Sequence, residues 1–408
     1  MRFNRFAIVA MAAISIIGLA ACGSSSSSSS GSSGGSGEGN DPYRVFAVEP
    51  LSGPFSLFGK ACAEALRETE KIVNADGGFD GRPMELVVKD DKGEGTEALT
   101  LLQEEINSGN KPDLVIPGTT SDEAVPLLPV LAKEGILSVT NASDTALDNP
   151  EKYPLNFGVA TTSLTIAGPM IEQLKKEGFK SVAVILTDNE LGRSNGEAYE
   201  ELGSQEGLEV AVAYVPEEAV DATSQLEQLD SHNPEVLVVS AFGPSIVPML
   251  KAKEKLGLEI PTWGDTATAS QDLPATVGSA AAQKITLQAQ PWQVEGEEPS
   301  AAYTKQSKEA FDAFYPRLQK AGIDTVIVPY IFTHDTVALA VAGANKAKST
   351  EAGAIAEAIE GGLTPAETPL FIGTGGWTAE DHFPATTAEK VVEVSAAETN
   401  EGLIVGSH

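Results

Sequence analysis

The sequence predicts an α/β protein in which two doubly wound parallel-sheet lobes face each other across a cleft. Strand and helix patterns alternate in two successive series, over residues 44–140 and 164–263, and repeated βα units build parallel sheets through right-handed crossovers. The segments Ser181–Thr187 and Glu235–Ser240 are almost continuously apolar, as expected for parallel strands that helices cover on both faces.

The first series ends its predicted helices with turn residues: the run NADGG starting at Asn74 stops the first helix, and Gly109 closes the second, where a left-handed cap is needed. The pattern predicts strands at Arg44–Val48, Met84–Lys89, Asp113–Ile116 and Ile136–Thr140, and helices at Phe58–Val73, Thr96–Ser108 and Asp122–Lys133.

The second series repeats this pattern, and further helices and a hairpin follow it. Its predicted helices are Leu164–Glu177, Gly196–Glu206, Thr223–Asp230 and Ser245–Leu256, and its predicted strands are Ser181–Thr187, Leu208–Val215, Glu235–Ser240 and Ile260–Trp263. Helices at Ser300–Lys320 and Tyr330–Lys346 and a hairpin of Phe371–Trp377 with Val391–Ser395, turning at Gly373–Gly376, are expected to pack onto the lobes. Ligands of such sheets bind beyond the carboxyl ends of the strands.

The N-terminus has the form of a bacterial lipoprotein signal. Arg2 and Arg5 precede an apolar run, Phe6–Ala21, that is short for a membrane span. Leu19-Ala20-Ala21-Cys22 resembles the lipobox, which implies cleavage before Cys22 and a diacylglycerol on its sulfur. The Ser/Gly-rich residues 22–40 cannot bury apolar surface and are expected to form a tether. The alternative is an ordinary secreted chain with a chance cysteine.

Composition narrows the classes of function. The formal net charge of −31 argues against nucleic acids and anionic membrane surfaces as partners. Cys62 is the only cysteine besides Cys22, so lipidation of Cys22 leaves no internal disulfide. The four histidines are scattered, and no P-loop or dinucleotide fingerprint follows a strand. We therefore expect a protein that is not an enzyme and that has neither a metal nor a cofactor.

Three segments together carry a resemblance to a known family. They are the strand-to-helix stretch EPLSGPFSLFG from Glu49 to Gly59, the run NADGG after the first helix, and the pair Asp90-Asp91 at a strand end. This series resembles the bacterial leucine/isoleucine/valine-binding proteins, the type I periplasmic solute-binding family. The resemblance implies two αβ lobes joined by a three-crossover hinge, closure on a small solute, and delivery to an ABC importer.

The expected domains follow from that resemblance. They are a signal peptide (1–21), a lipidated cysteine with its tether (22–40), an N-terminal lobe (41–158 and 291–372) and a C-terminal lobe (159–290 and 373–408). We expect a monomer, held to the outer face of the cell membrane by its lipid alone, with the permease of an importer as its partner.

The resemblance also implies contacts with the ends of an amino acid. Thr120 and Ser121, with the backbone N–H groups of their loop, match the segment that binds the α-carboxylate, and Ala142 and Ser143 match a second segment that contacts both charged ends. Asp265 matches the acidic residue opposite the ammonium, because a buried cation needs a partner. Alternatively, Ser121 and Asp265 cap helices and Ala142-Ser143 is a plain turn.

Further matches concern the part of the pocket that holds the ligand's side chain. Phe58, Phe242 and Tyr330 match aromatic positions of the family, although each could instead belong to the core. Leu191 stands where the branched-chain binders often have tyrosine, and it leaves the ligand open. The alternatives to an amino acid are an amide, a urea-like compound, an aromatic acid or a short peptide, and a further alternative is a sensor lipoprotein without transport.

Overall fold

The structure, a computed structural model, describes residues 41–297, 305–364, 367, 370–371, 376–383 and 391–407. The predicted signal peptide, Cys22, the tether and most of the predicted Gly373–Gly376 turn lie outside these residues. Within the described part of the chain, no helix is long and apolar enough to cross a membrane.

The strands follow the predicted order. They are β1 Tyr43–Glu49, β2 Met84–Asp90, β3 Leu114–Ile116, β4 Leu137–Thr140, β5 Asn156–Gly158, β6 Ser181–Asp188, β7 Glu209–Pro216, β8 Val236–Ser240, β9 Thr262–Gly264, β10 Ile285–Ala289, β11 Val392–Asn400 and β12 Leu403–Ser407.

Helices separate most of these strands. They are α1 Ser56–Ala75, α2 Gly95–Asn107, α3 Ser121–Ala124, α4 Leu128–Glu134, α5 Ser163–Glu177, α6 Glu190–Glu206, α7 Thr223–Asp230, α8 Ile246–Leu256, α9 Thr266–Ala269, α10 Leu273–Val277, α11 Ser279–Ala282, α12 Lys305–Ala321, α13 Val328–Ala347 and α14 Ala352–Glu360.

The first lobe is built on a parallel sheet with the order β2-β1-β3-β4-β5. Strand β1, between β2 and β3, is buried on both faces: Val45 and Ala47 belong to one hydrophobic cluster, and Phe46 and Val48 belong to another. This alternation explains why the strand reads as a continuous apolar run. Helix α13 packs against α1 and β4, which adds it to this lobe.

The second lobe has a sheet with the order β12-β11-β10-β9-β8-β6-β7. Strands β6 to β10 pair in parallel, whereas β11 runs antiparallel to β10 and to β12. Strand β11 thus pairs with β10 through Val392–Val394 and with β12 from Ser395 onward, whereas residues 372–375 of the predicted hairpin lie outside the described residues. The two-lobed α/β fold is confirmed, while the residue boundaries of the lobes stay a prediction.

Strand order places one switch point in each sheet. In the first sheet, the chain leaves β1 for β2 and then returns to β3 on the other side of β1; in the second, β6 lies between β7 and β8. Open α/β sheets bind ligands at such points, beyond the carboxyl ends of the strands. The segments that follow β3 and β8 contain the predicted Ser121 and Phe242.

The predicted helix Asp122–Lys133 is broken into α3, a 3₁₀ turn at Val125–Leu127, and α4. Pro126 lies in the turn and Pro129 in the first turn of α4. Neither ring can donate an N–H to a preceding turn, and proline is tolerated mainly where a helix begins. The break leaves Ser121 at the start of a separate one-turn helix.

A buried histidine predicts how stability responds to acid. Burial lowers the pKa of His334 from 6.5 to about 4, and the ring lies against Phe314 and Phe371, with Nδ1 3.0 Å from Thr69 Oγ1. Stability from the neutral ring is present above pH 6.5 and lost as the pH falls through about 4. Between pH 7 and pH 4, protonation of His334 should lower the parent's free energy of unfolding by up to about 3 kcal/mol, and His334→Phe should not show this decrease. Urea unfolding at a series of pH values measures both proteins.

The exposed His232 provides the matched control, since His232→Gln should keep the parent's acid dependence. An unchanged slope in His334→Phe would contradict the assignment.

Candidate functional site

A cavity lies between the two lobes, at the carboxyl ends of their strands. The volume of this cavity is about 80 Å³, which is enough for several water molecules and therefore for a small solute. Seven of the nine predicted ligand-binding residues line it: Phe58, Thr120, Ser121, Ala142, Ser143, Leu191 and Phe242. Their role as ligand contacts stays a prediction, but the structure brings them together.

The loop between β3 and α3 is held from inside the protein. The carboxylate of Glu123 accepts the N–H groups of Thr119 and Thr120 with the same oxygen, Oε2, each at 2.7 Å. The Thr120 hydroxyl accepts the N–H of Glu123 at 3.4 Å, which completes a capping box. These two backbone N–H groups, which the resemblance assigned to a ligand carboxylate, are thus already occupied.

The Ser121 hydroxyl can donate a hydrogen bond into the cavity. Its Oγ accepts the backbone N–H of Asp144 at 3.2 Å, so the hydroxyl hydrogen can still donate to a ligand oxygen. Asn141 complements this donor. Its Nδ2 donates to Thr333 Oγ1 at 3.1 Å, whereas its buried Oδ1 has no protein hydrogen-bond partner. A ligand N–H is the partner that this acceptor lacks.

Phenylalanine rings meet across the two lobes. Phe242, after β8, packs edge-on against Phe58 of α1 with the ring centroids 4.8 Å apart, and it is parallel to Phe55 at 5.7 Å. Both arrangements are favourable for aromatic pairs. Phe58 and Phe242 contribute apolar surface to the cavity, and Leu191, Ile166 and Phe332 extend the apolar part of the lining.

Polar contacts also join the lobes beside the cavity. The N–H of Glu190, at the start of α6, donates to Asp122 Oδ2 at 3.4 Å, and the Ser194 hydroxyl donates to Thr145 Oγ1 at 3.2 Å. Asp122 is the one ionisable side chain among the described residues of the lining. Burial raises its pKa. The lobes are therefore in contact on both the apolar and the polar side of the cavity.

The structure does not bring Asp265 to the cavity. The side chain is fully buried; Oδ1 accepts the N–H of Thr268 at 3.1 Å, and Oδ2 accepts the hydroxyl of Tyr199 at 2.9 Å. Burial raises the pKa of this carboxyl. Asp265 is the N-cap of α9, and the residues that follow it, Thr266 and Ala267, line the cavity instead.

Tyr330 also lies elsewhere. It is buried in a hydrophobic cluster with Phe314 and Ile331, and its hydroxyl accepts the N–H of Asp324 at 3.3 Å. Val328 and Phe332, one helical turn apart on α13, reach the cavity. A residue midway between two such positions points to the opposite side of a helix, which explains why Tyr330 misses the site.

Sequence reasoning missed several lining residues. Three of them, Asn141, Asp122 and Asn189, are neighbours of predicted positions at strand ends, so the same signal could have identified them. Phe332 could be identified only by knowing which face of α13 is turned towards the cavity. Among the described residues, no group of histidine, cysteine, aspartate or glutamate could hold a metal ion.

The capping role of Asp265 predicts a loss of stability rather than of affinity. Asp265→Ala removes the acceptor of Thr268 N–H and leaves the buried Tyr199 hydroxyl without its partner, at a cost of about 2 kcal/mol. Asp265→Asn, which keeps an oxygen and adds a donor, should cost less. Urea unfolding measures both. An Asp265→Ala protein that is as stable as the parent but no longer binds its ligand would contradict this role.

Comparisons with known proteins identify the family. A family model described as periplasmic binding protein matches residues 42–399. The leucine-, isoleucine-, valine-, threonine-, and alanine-binding protein of Pseudomonas aeruginosa is 22% identical over 245 residues, which cover 59% of this chain and 64% of that protein. The chain thus spans less than two thirds of the length of this curated relative.

Solved structures share the fold. An extracellular ligand-binding receptor from Rhodopseudomonas palustris superposes with a TM-score of 0.75 at 16% identity, covering 90% of this chain and 99% of that one. A solute-binding protein of an ABC transporter from the same organism, in complex with p-hydroxybenzoic acid, gives 0.71 at 18% identity, covering 90% and 96%. The chain belongs to the periplasmic binding protein family, as a type I protein similar to the Leu/Ile/Val-binding proteins, and its family and fold are those of solute-binding receptors rather than enzymes.

Proposed function

We propose that this protein is the extracytoplasmic solute-binding receptor of an ABC importer and that it binds an amino acid, of branched-chain type, between lobes that close on it. The observation that carries the proposal is the small cavity lined from both lobes by seven residues that the sequence predicted. Hinge closure around a solute is the motion expected of such receptors.

An amino acid matches the chemistry of the lining. The Ser121 hydroxyl can donate to the α-carboxylate, and the buried Asn141 Oδ1 can accept from the ammonium. Asp122 supplies the negative charge that a buried cation requires. Phe58, Phe242 and Leu191 offer apolar surface for an aliphatic side chain.

A neutral amide or urea-like solute is the second candidate, favoured by a different observation. Asp265, the predicted partner of an ammonium, caps α9, and the described lining contains no lysine, arginine or histidine to pair with a carboxylate. The N–H groups of Thr119 and Thr120 are occupied by Glu123. A solute without charge needs none of these groups, and it would use the same Ser121 donor and Asn141 acceptor.

A thermal-shift screen tests the proposal. The panel contains the twenty amino acids, simple amides, urea and small aromatic acids, because a ligand at 100 times its dissociation constant adds about 2.7 kcal/mol to stability. We expect the largest shift from branched-chain amino acids. In Ser121→Ala the dissociation constant should rise about tenfold or more, because a hydrogen bond to a charged group is lost, while the exposed Ser224→Ala should bind as the parent does.

The outcomes of the screen separate the candidates. A shift with amides or urea alone would replace the amino acid by the neutral solute. An aromatic acid that binds most tightly would contradict both, because an anion finds no cation in the described lining.

We also propose that Cys22 is lipidated and that residues 22–40 tether the receptor to the outer face of the membrane. In a bacterial host, Cys22→Ser should abolish incorporation of labelled fatty acid and shift the protein from the membrane to the soluble extracytoplasmic fraction. Retention in the membrane fraction without label would contradict the anchor.

A further inference from the structure

Three carboxyl groups meet directly behind the loop that carries Ser121. Glu49 comes from the end of β1, Asp91 follows β2, and Glu123 belongs to α3; each residue is 0% exposed. Each group also has one oxygen without a protein partner: Glu49 Oε1, Asp91 Oδ2 and Glu123 Oε1. Three buried carboxyl groups that repel one another electrostatically cannot all carry a charge at low cost.

Among the described residues, no cationic side chain acts on these three groups. From α1 the group that acts on the cluster is Cys62, a thiol; from the end of β2 it is Asp90; and from α2 it is Glu97. Lys92, which follows Asp91, is paired at the surface with Glu97, at 2.8 Å.

The protonation of the cluster follows from burial and mutual repulsion. Burial, with the charge of Asp91 as the next cause, raises the pKa of Glu123 to about 8. Burial raises the pKa of Asp91 to about 6 and that of Glu49 well above its usual 4.5. The N–H groups of Thr119 and Thr120 favour the ionised form of Glu123, but they oppose these larger effects without reversing them.

The same groups hold the loop of the cavity. Glu123 Oε2 accepts the N–H groups of Thr119 and Thr120, and the Thr119 hydroxyl donates to Glu49 Oε2. The backbone at Gly118 adopts φ 94°, and a Cβ at this glycine would stand 2.7 Å from Glu123 Oε2. The loop therefore wraps closely around the carboxyl group, and its conformation depends on where that group lies.

We propose that Glu123 is a positioning residue for the Thr119–Ser121 side of the ligand cavity, and that deprotonation of the buried acids Glu49, Asp91 and Glu123 makes both the stability of the protein and its affinity for solute fall as the pH rises. The part that concerns affinity rests on the proposed function; the part that concerns stability does not.

The direction follows from proton linkage. Glu123 binds a proton more tightly in the folded state, with a pKa of about 8 against 4.5. The stabilisation is therefore complete below pH 4.5 and is lost as the pH rises through about 8. Once the last proton leaves, the repulsion of buried carboxylates is relieved by a shift of Glu123, and Thr119 and Thr120 shift with it. The Ser121 hydroxyl then loses its fixed position.

The test compares the full chain with Glu123→Gln, whose amide oxygen can still accept the two N–H groups but cannot ionise. Urea unfolding without ligand, from pH 5 to pH 9, should show a falling midpoint in the parent and a flatter dependence in the variant. Because His334 titrates in both chains, the difference between them isolates the cluster. The control is the exposed acid Glu227 of α7, in the second lobe; Glu227→Gln should keep the parent's slope.

Affinity for L-leucine, measured by calorimetry, gives the second result. One proton released with a pKa of about 8 should weaken binding about fourfold between pH 6 and pH 8.5 in the parent, and Glu123→Gln should show no such change. If Glu123→Gln does not fold, Asp91→Asn should flatten the unfolding profile instead.

The two readouts fail separately. If the unfolding profiles of Glu123→Gln and Asp91→Asn ran parallel to that of the parent, the proposal would be overturned, whether or not leucine binds. A flattened unfolding profile without leucine binding at any pH would support the cluster and contradict the amino-acid function. Binding of leucine with the same pH dependence in the parent and Glu123→Gln would overturn the positioning role.

Discussion

The shape of the interlobe cavity depends on which groups accept hydrogen bonds from the backbone N–H groups that follow the parallel strands. Chain turns at these ends leave donors unpaired, and a buried donor without a partner is costly. In this protein, side chains behind the loops supply the acceptors: Glu123 for Thr119 and Thr120, Asn189 for Gly192, and Asp265 for Thr268. The loops are thereby fixed before any solute arrives.

This solution determines the chemistry that is left for a ligand. Of the acids at the strand ends, Glu123 and Asp265 are directed at backbone N–H groups, so the cavity is lined mainly by hydroxyls, amides and phenylalanine rings. Its recognition must rest on hydrogen bonds and shape more than on paired charges. The described contacts between the lobes have the same character: they include one edge-on and one stacked ring pair and single hydrogen bonds, which can separate when the lobes open.

Much of the fold could be predicted because buried parallel strands have a simple signature. Strand β6 is apolar and buried from Val182 to Leu186 because helices cover both of its faces. Once such strands are recognised, the loops that follow β3 and β8 can be located. Side-chain direction could not be predicted in the same way. An aspartate that follows a strand and precedes a helix has one appearance in sequence whether it caps the helix or meets a ligand, and Asp265 turned out to be a cap. Tyr330 was placed in the cavity wrongly for a related reason: its helix was predicted, but not which side of that helix is turned towards the cavity.

The buried acids escaped sequence reasoning for a different reason. Glu49, Asp91 and Glu123 are separated along the chain and come together only when β1, β2 and α3 assemble. Asp91 was visible only as part of an acidic pair, which resembles a solvated turn. In the structure Asp90 lies at the surface, whereas Asp91 is buried.

The most direct test of this account is a crystal structure of the protein with the solute that stabilises it most. We expect one molecule in the interlobe cavity, with an oxygen near Ser121 Oγ and a nitrogen near Asn141 Oδ1. Glu123 should still accept the N–H groups of Thr119 and Thr120, and Asp265 should still cap α9. A solute bound outside this cavity, or one that draws the Asp265 carboxylate away from Thr268 to pair with it, would contradict the account.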